Sequence, residues 1–154
     1  MQIIDAMGAF FAMTEKEADR FLLESKLNLQ LATIDEKDDP NIQPVWCSYD
    51  KDKRKLYIMT SKTSKKIHNI RKKATIYFSK DEENPYKGVK GKGVATTVED
   101  PDIIMPMVEK INLKYLGTLE DPSAKMMIEN VRNGIIIMIG INPKFFFTWN
   151  LAKM

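Results

Sequence analysis

The chain has 154 residues, of which 44% are hydrophobic and 29% are charged, and its formal net charge is +3 at pH 7. These values are ordinary for one globular domain and argue against long disordered or low-complexity stretches. The small positive charge permits an anionic ligand, but it falls short of the overall basicity of most nucleic-acid binders. The only cysteine, Cys47, excludes an internal disulfide and leaves secretion without support, so we expect a cytoplasmic protein.

Two segments are candidates for export or membrane insertion, and neither has the required pattern. Residues 1–13 carry Asp5 and no Lys or Arg, whereas a signal peptide begins with a basic region. The apolar run from Ile135 reaches only Ile141, which is far short of the ~20 residues that cross a bilayer. We therefore expect residues 1–13 to be a docking arm, the apolar run to be a buried strand, and the protein to have no membrane partner.

The first half of the chain predicts one helix followed by short strands. Thr14 to Glu17 is a capping box, which predicts a helix as far as about Ser25. The hydrophobic period then changes from 3.6 to 2, which is typical of strands. Pro44 cannot donate to a strand ladder, so it marks a strand edge or a bulge. The predicted strands are 27–34, 41–49, 56–59 and 75–79, and a short helix ending near Lys72 precedes the last of them.

The second half predicts a strand, two helices and two final strands. Small residues at Gly91, Gly93 and Ala95 alternate with longer ones in the predicted strand 88–98, so one face of this strand allows a close approach to its backbone. Pro106 lies deep in the predicted helix 100–117 and should kink or split it. A second helix is predicted over 121–134, and strands over 135–141 and 145–150 are predicted to be joined by a turn at 142–143.

These elements indicate the fold class. About seven strands, mostly linked by short polar turns, accompany three or four helices. Neighbouring strands joined in this way are antiparallel, and short strands with few free edges suggest a closed or partly closed barrel. We therefore predict a mainly β protein with flanking helices (α+β), in which residues 14–150 form a single domain.

The segment from Thr60 to Lys66 is the strongest functional signal in the sequence. Its seven residues contain four hydroxyls and three ammonium groups, between the end of a predicted strand and the start of a predicted helix. A helix N-terminus, hydroxyl donors and lysines together favour an anion, above all a phosphate. The alternative is a capped surface helix with solvated lysines. We favour the phosphate site because it follows a strand, which is a standard cofactor position.

The order of strand, Thr60, Lys65-Lys66, helix and strand resembles the flavin-binding split barrels related to pyridoxamine 5′-phosphate oxidase, from Thr14 to Trp149. The resemblance implies a small antiparallel split β-barrel that binds FMN. Residues 43–48 would lie along the isoalloxazine ring, largely through main-chain groups. The phosphate would be held by Met59, Thr60, Lys65 and Lys66, and Trp149 would touch the cofactor. The predicted cofactor-binding residues are Gln43, Pro44, Val45, Trp46, Cys47, Ser48, Met59, Thr60, Ser61, Ser64, Lys65, Lys66 and Trp149.

The sequence also departs from that family. Gln43 and Ser48 stand where the family's vitamin B6 oxidases have Arg and Lys, and the chain stops at Met154, before their substrate-binding tail. We therefore expect an FMN-dependent oxidoreductase that acts on another small-molecule redox substrate, with catalytic residues unassigned. A deazaflavin-dependent reductase is the alternative, because the same phosphate site would serve either ring system. Short relatives in the family also include haem binders.

Other functional classes have weaker support. Residues 62–73 include six basic residues, which would suit nucleic-acid phosphates, but no aromatic residue is interleaved among them as single-strand binding requires. His68 is the only histidine, which argues against a metal site built on several histidines. The family resemblance also implies a homodimer with the cofactor between the subunits, which would give the apolar arm from Ile3 to Phe11 a partner surface.

Overall fold

The computed structural model describes residues 2–8, 11–84 and 86–153, which form eight β-strands and four α-helices. The strands are β1 (Gln2–Asp5), β2 (Leu29–Ile34), β3 (Pro40–Val45), β4 (Ser48–Asp50), β5 (Lys55–Ser61), β6 (Thr75–Glu83), β7 (Tyr86–Val98) and β8 (Ile136–Asn150). The helices are α1 (Glu15–Glu24), α2 (Lys65–Lys72), α3 (Pro101–Leu116) and α4 (Pro122–Arg132), and a 3₁₀ turn covers Leu151–Lys153.

Strands β2 to β8 form one antiparallel sheet in the order β3-β2-β6-β7-β8-β5-β4. Strand β1 adds to β8 in parallel, with Gln2 opposite Phe145 and Asp5 opposite Thr148. Residues 2–5 of the predicted docking arm therefore pair with strand β8 of the same chain. Residues 9 and 10 of the arm are outside the described residues. The mainly β, antiparallel split-barrel class with flanking helices is confirmed.

Helix α1 forms where the capping box predicts it. The Thr14 hydroxyl accepts the Glu17 backbone N–H at 3.2 Å, and the Glu17 carboxylate accepts the Thr14 N–H at 2.7 Å. Two backbone donors at the exposed start of the helix are thus satisfied. The buried face carries Ala18, Phe21 and Leu22, which pack into the main core of the sheet.

Strand β8 is buried on both faces, which explains its long apolar run. Ile137, Ile139 and Ile141 belong to the main core, together with residues of α1 and α2. Met138 points to the opposite face, where α3 and α4 cover the sheet through residues such as Val108. The prediction of a buried strand is confirmed from Ile136 to Ile141, whereas Ile135 precedes the strand and is exposed. No helix among the described residues is long and apolar enough to cross a membrane.

The predicted turn at residues 142–143 is wrong. Residues 136–150 form one continuous strand, with Pro143 opposite Gly93 and Phe145 opposite Lys92. The register shift leaves Lys144 as an extra residue in β8, which is a β-bulge. A proline is tolerated at a bulge because the ladder is already interrupted there, so the same local residues that favour a turn also fit this irregularity.

Two further sequence predictions about α3 and β7 need refinement. The predicted split of α3 at Pro106 is wrong, since Pro101–Leu116 is one helix, and the alternative of a kink stays a prediction. Pro106 is exposed, so the carbonyl that loses its partner can bond to water. The face of β7 that carries small residues allows a close approach, as predicted, and the segment that approaches it is the neighbouring strand β8. A Cβ built on Gly93 would lie 2.8 Å from the Asn142 carbonyl oxygen.

Candidate functional site

A cavity of about 270 Å³ lies at the C-terminal ends of β3 and β5. The two strands, the residue that follows β3 and the start of α2 contribute six of its eight lining residues, and all six are among the residues that the sequence predicted as cofactor-binding. These six are Pro44, Val45, Trp46, Met59, Thr60 and Lys66. The other two, Met127 from α4 and Ile136 from β8, were not predicted. The cavity thus combines a largely apolar wall with one hydroxyl and one ammonium group.

Lys66 is the one charged residue that lines this cavity. Its side chain is only 7% exposed, and its ammonium donates to the Gln43 amide oxygen at 2.7 Å. Burial lowers the pKa of Lys66 below its usual value, and no carboxylate among the described residues offsets that effect. An ammonium has three protons to donate, so this group can still bind an anion in the cavity.

The Thr60 hydroxyl is the other polar group that lines the cavity, and Ser64 lies outside the lining, next to it. Thr60 donates to the Ser64 hydroxyl at 3.1 Å. Ser64 is the N-cap of α2 and accepts the backbone N–H of Ile67 at 3.5 Å, so it fixes the start of the helix beside the cavity. The first turn of a helix presents unpaired N–H groups and a partial positive charge, which add to the attraction for an anion.

The structure separates the two neighbouring lysines that the sequence treated as a pair. The Lys65 side chain is 50% exposed and forms an ion pair with Glu36 at 3.1 Å. Ser61 likewise lies outside the cavity lining, and its hydroxyl pairs with that of Thr63 at 3.2 Å. The geometry therefore assigns the buried cationic position to Lys66 and leaves Lys65 at the surface.

Cys47 and Ser48 are buried in the core and do not line the cavity. The backbone N–H of Cys47 donates to the Tyr115 hydroxyl at 3.2 Å, and its carbonyl accepts from the Lys114 ammonium at 3.1 Å. Both main-chain groups of Cys47 are thus already engaged by α3. A main-chain contact between residues 43–48 and a ligand would have to come from the preceding residues.

Trp149 also lies outside the cavity lining. It is 6% exposed, and its ring is 5.7 Å from that of Tyr86. Alternation along β8 places it on the same face as Phe147, and its indole nitrogen is buried without a hydrogen-bond partner. A contact between Trp149 and a cofactor stays a prediction.

Sequence reasoning missed Met127 and Ile136 because they reach the cavity only through tertiary packing. Met127 lies on α4, some sixty residues beyond Lys66, and nothing in its local pattern connects it to β3 or β5. Ile136 is the first residue of β8, which pairs with β5 opposite Ser61. Only the strand order, with β8 beside β5, brings them to the site.

His68 does not belong to the site. Its side chain is 52% exposed, and its imidazole lies 4.0 Å from Glu36, as expected for a histidine on the outer face of a helix. Within residues 2–8, 11–84 and 86–153, no group of three His, Cys, Asp or Glu residues is arranged to hold a metal ion.

The fold is a small antiparallel split barrel with a cavity at the ends of two strands. The sequence profile of the pyridoxamine 5′-phosphate oxidase family matches residues 14–132, which is well over half of the chain. The protein belongs to this family.

Solved structures agree with this assignment, although no curated protein matches the sequence significantly. A conserved hypothetical protein from Mycobacterium tuberculosis is 23% identical with a TM-score of 0.79, over 92% of this chain and 88% of that one. An F420 reductase is 26% identical with a TM-score of 0.66, over 84% and 96%. An FMN-binding protein from Nostoc punctiforme, related to pyridoxamine 5′-phosphate oxidase, is 13% identical with a TM-score of 0.58, over 84% and 76%.

Proposed function

We propose that this protein is an FMN-binding oxidoreductase whose cofactor phosphate binds at Lys66 and the start of α2. The observation that carries the proposal is the Lys66 ammonium, which is buried at an apolar cavity. Its polar partner is an amide oxygen, and no carboxylate of the described residues pairs with it. A buried charge without a counter-charge costs stability, so such a group points to a bound anion.

The cavity residues fit the two parts of a flavin mononucleotide. The phosphate would be held by Lys66, the hydroxyls of Thr60 and Ser64, and the backbone N–H groups at the start of α2. The apolar wall, which includes Trp46 and Met59, suits a planar ring system. Polar contacts for the phosphate and an apolar surface for the ring system therefore lie next to each other.

When bound, the flavin supplies hydride or electron transfer, and the protein supplies binding and orientation. Lys66 is the one ionisable group that lines the cavity, so the side chains here hold the phosphate and exclude water from the ring. Gln43 and Ser48 stand where the family's vitamin B6 oxidases have Arg and Lys, which supports a substrate other than pyridoxamine 5′-phosphate.

A homodimer would complete the site. Ligand cavities are usually about 300–1,000 Å³, and this one is near the lower limit for a ligand as large as FMN. An apolar groove of about 350 Å³ lies on the outer face of the sheet, where Ile42 and Tyr77 are 65% and 47% exposed. Ile42 and Pro44 are two residues apart on the same face of β3, so the groove adjoins the cavity. A second copy bound to the groove would cover the open side of the cavity.

This dimer would also explain the position of Trp149. Phe145 and Phe147 line the groove, and Trp149 follows them on the same face of β8. In a dimer formed through this face, Trp149 of each subunit would lie close to the interface.

A deazaflavin is the second candidate cofactor. The 26% identity to an F420 reductase supports it, and the same phosphate contacts would serve either ring system. Met59 and Met127 line the ring side of the cavity, and methionine side chains adapt readily to different ring shapes.

The visible spectrum of the freshly purified protein, followed by titration with FMN, riboflavin and a deazaflavin phosphodiester, tests the proposal. We expect a yellow protein, or flavin uptake on titration, with riboflavin bound at least about tenfold more weakly than FMN because it lacks the phosphate. Tighter binding of the deazaflavin would favour the second candidate. A colourless protein that takes up none of the three would refute both.

A further inference from the structure

Residues 46 and 47 lie between β3 and β4 and belong to neither strand, so they gain no ladder hydrogen bonds. Buried backbone groups need other partners, and helix α3 supplies them for Cys47. The Tyr115 hydroxyl accepts its N–H at 3.2 Å, and the Lys114 ammonium donates to its carbonyl at 3.1 Å. Two consecutive side chains of α3 therefore hold residue 47 from both sides of its backbone.

The same two side chains reach further into the structure. The Tyr115 hydroxyl donates to the Leu27 carbonyl at 3.2 Å, just before β2. The Lys114 ammonium lies 3.4 Å from the Leu22 carbonyl of α1, to which it also donates. Helix α3 thereby ties the 46–47 segment to the first helix and to the approach to the first long strand, which leaves this segment little freedom to shift.

Trp46, the residue next to Cys47, connects this network to the cavity. Its indole stacks on the Tyr115 ring with a centroid distance of 4.9 Å and an interplanar angle of 3°. Trp46 also lines the cavity, so its side chain joins the Tyr115 ring to the cavity wall. The position of the aromatic wall thus depends directly on a side chain of α3.

This arrangement costs stability. Burial, with a further contribution from the nearby Lys80, lowers the pKa of Lys114 to about 8. Lys80 is fully buried, whereas Lys114 is partly buried, and the Lys80 ammonium donates to the Ser25 carbonyl at 2.7 Å. Among the described residues neither lysine forms an ion pair with a carboxylate, and the Lys80 ammonium lies 3.9 Å from the Cys47 sulfur. Desolvation of ammonium groups costs free energy, and such costs are common where a functional site must be held in place.

From this geometry we infer that Lys114 and Tyr115 are positioning residues for the cofactor, acting through Cys47 and Trp46. They fix the backbone at residue 47 and the indole of Trp46 in the orientation in which a flavin ring can lie against the wall of the cavity. The inference rests on the proposed function and extends it to two residues that do not line the cavity themselves.

Four variants test the inference. Tyr115→Leu removes both the hydroxyl and the ring stack, whereas Tyr115→Phe removes only the hydroxyl. Lys114→Met removes the ammonium and keeps the length of the side chain. Lys110→Met changes an exposed lysine one turn earlier on the same helix and is the matched control.

Flavin binding is the first measurement. We expect the FMN dissociation constant to rise about tenfold in Tyr115→Leu and about threefold in Tyr115→Phe and Lys114→Met, and to stay within about twofold in Lys110→Met. The visible spectrum of bound FMN should shift in Tyr115→Leu and be restored in Tyr115→Phe, because the stack is then kept. A folded Tyr115→Leu with wild-type affinity and spectrum would overturn the inference.

Hydrogen exchange at the Cys47 amide is the second measurement, and it needs no ligand. Exchange should be faster by about tenfold in Tyr115→Phe and unchanged in Lys110→Met. If the wild-type protein binds no flavin, the proposed function fails, while faster exchange in Tyr115→Phe still supports the positioning role. Unchanged exchange would overturn that role whether or not flavin binds.

Discussion

Replacing Lys66 with methionine distinguishes the effect of the buried ammonium on the stability of the protein from its effect on cofactor binding. Methionine keeps an unbranched side chain of similar length, so the packing around the cavity should be preserved. The change removes the charge and its hydrogen bond to Gln43, whose side chain is exposed enough to bond to water instead. The variant therefore tests the function of one ammonium group with little structural disturbance.

The structure sets the expected size of two opposite effects. A hydrogen bond from a charged group contributes about 1.5–3 kcal/mol, so loss of one contact to the phosphate should weaken FMN binding about tenfold to a hundredfold. Because Lys66 is 7% exposed and its ammonium has no ionic partner among the described residues, its removal should leave the ligand-free protein equally stable or up to about 1 kcal/mol more stable.

Two assays measure these effects independently. Quenching of flavin fluorescence gives the dissociation constant, and urea unfolding of the ligand-free protein gives the free energy of unfolding. Lys65→Met is the matched control, because Lys65 is the adjacent residue in the sequence but its side chain is exposed and paired with Glu36. We expect the control to change affinity by less than about threefold, since exposed ion pairs contribute little.

Wild-type FMN affinity in Lys66→Met would refute the assignment of the phosphate site. A loss of affinity accompanied by a stability loss of several kcal/mol would also contradict the reasoning, because it would make Lys66 a structural residue. Equal effects of Lys65→Met and Lys66→Met would show that burial does not distinguish the two lysines.

Three further predictions concern the sheet and the helices. Gly93→Ala should lower the free energy of urea unfolding by about 1–3 kcal/mol, because its Cβ would lie 2.8 Å from the Asn142 carbonyl, whereas Gly140→Ala, with no neighbour nearer than 3.4 Å, should change it little. Trp149→Phe should keep the fold and change FMN affinity or flavin fluorescence in a titration. The free energy of unfolding should rise between pH 8 and 10. Because the pKa of Lys114 is lowered to about 8 in the folded protein, the unfolded chain binds more protons than the folded protein in this range. Lys114 can contribute at most about 1.4 kcal/mol per pH unit to this rise.

Each of these predictions has a distinct contrary result. Equal stability losses in Gly93→Ala and Gly140→Ala would show that the close approach at β7 is not the cause. Wild-type affinity and fluorescence in Trp149→Phe would remove that residue from the site. The pH-dependent rise should be smaller in Lys114→Met than in Lys110→Met, and an identical rise in both variants would contradict its assignment to Lys114.

Local signals in the sequence predicted most of the helices and strands, but they could not predict contacts between residues far apart in the chain. The capping box at Thr14 and the segment of hydroxyls and lysines from Thr60 to Lys66 each consist of residues that are close together in the sequence at the start of a helix. The sequence alone therefore reveals both of them. The turn predicted at Pro143 was wrong because proline and asparagine are equally compatible with a turn and with a bulge. Whether Lys65 or Lys66 faces inward depends on what packs against α2, which no local pattern shows.

The same limit applies to the cavity. Its wall from Pro44 to Trp46 was predicted through a family resemblance, whereas Met127 depends on how α4 packs against the sheet. The hydrogen bonds from Lys114 and Tyr115 to Cys47 join residues that are 67 and 68 positions apart. Such contacts require the tertiary structure.

The place of β3 in the sheet bears on how a ligand exchanges with solvent. Among the described strands β3 pairs only with β2, whereas β8 pairs with β1, β5 and β7. A strand held along one side can fray while the core stays closed, because local opening costs less free energy than global unfolding. The exposed wall of the cavity at Pro44 would therefore be able to move aside without loss of the barrel, whereas Val45 is part of the main core. Entry and release of the cofactor would then follow the opening rate of a single edge strand.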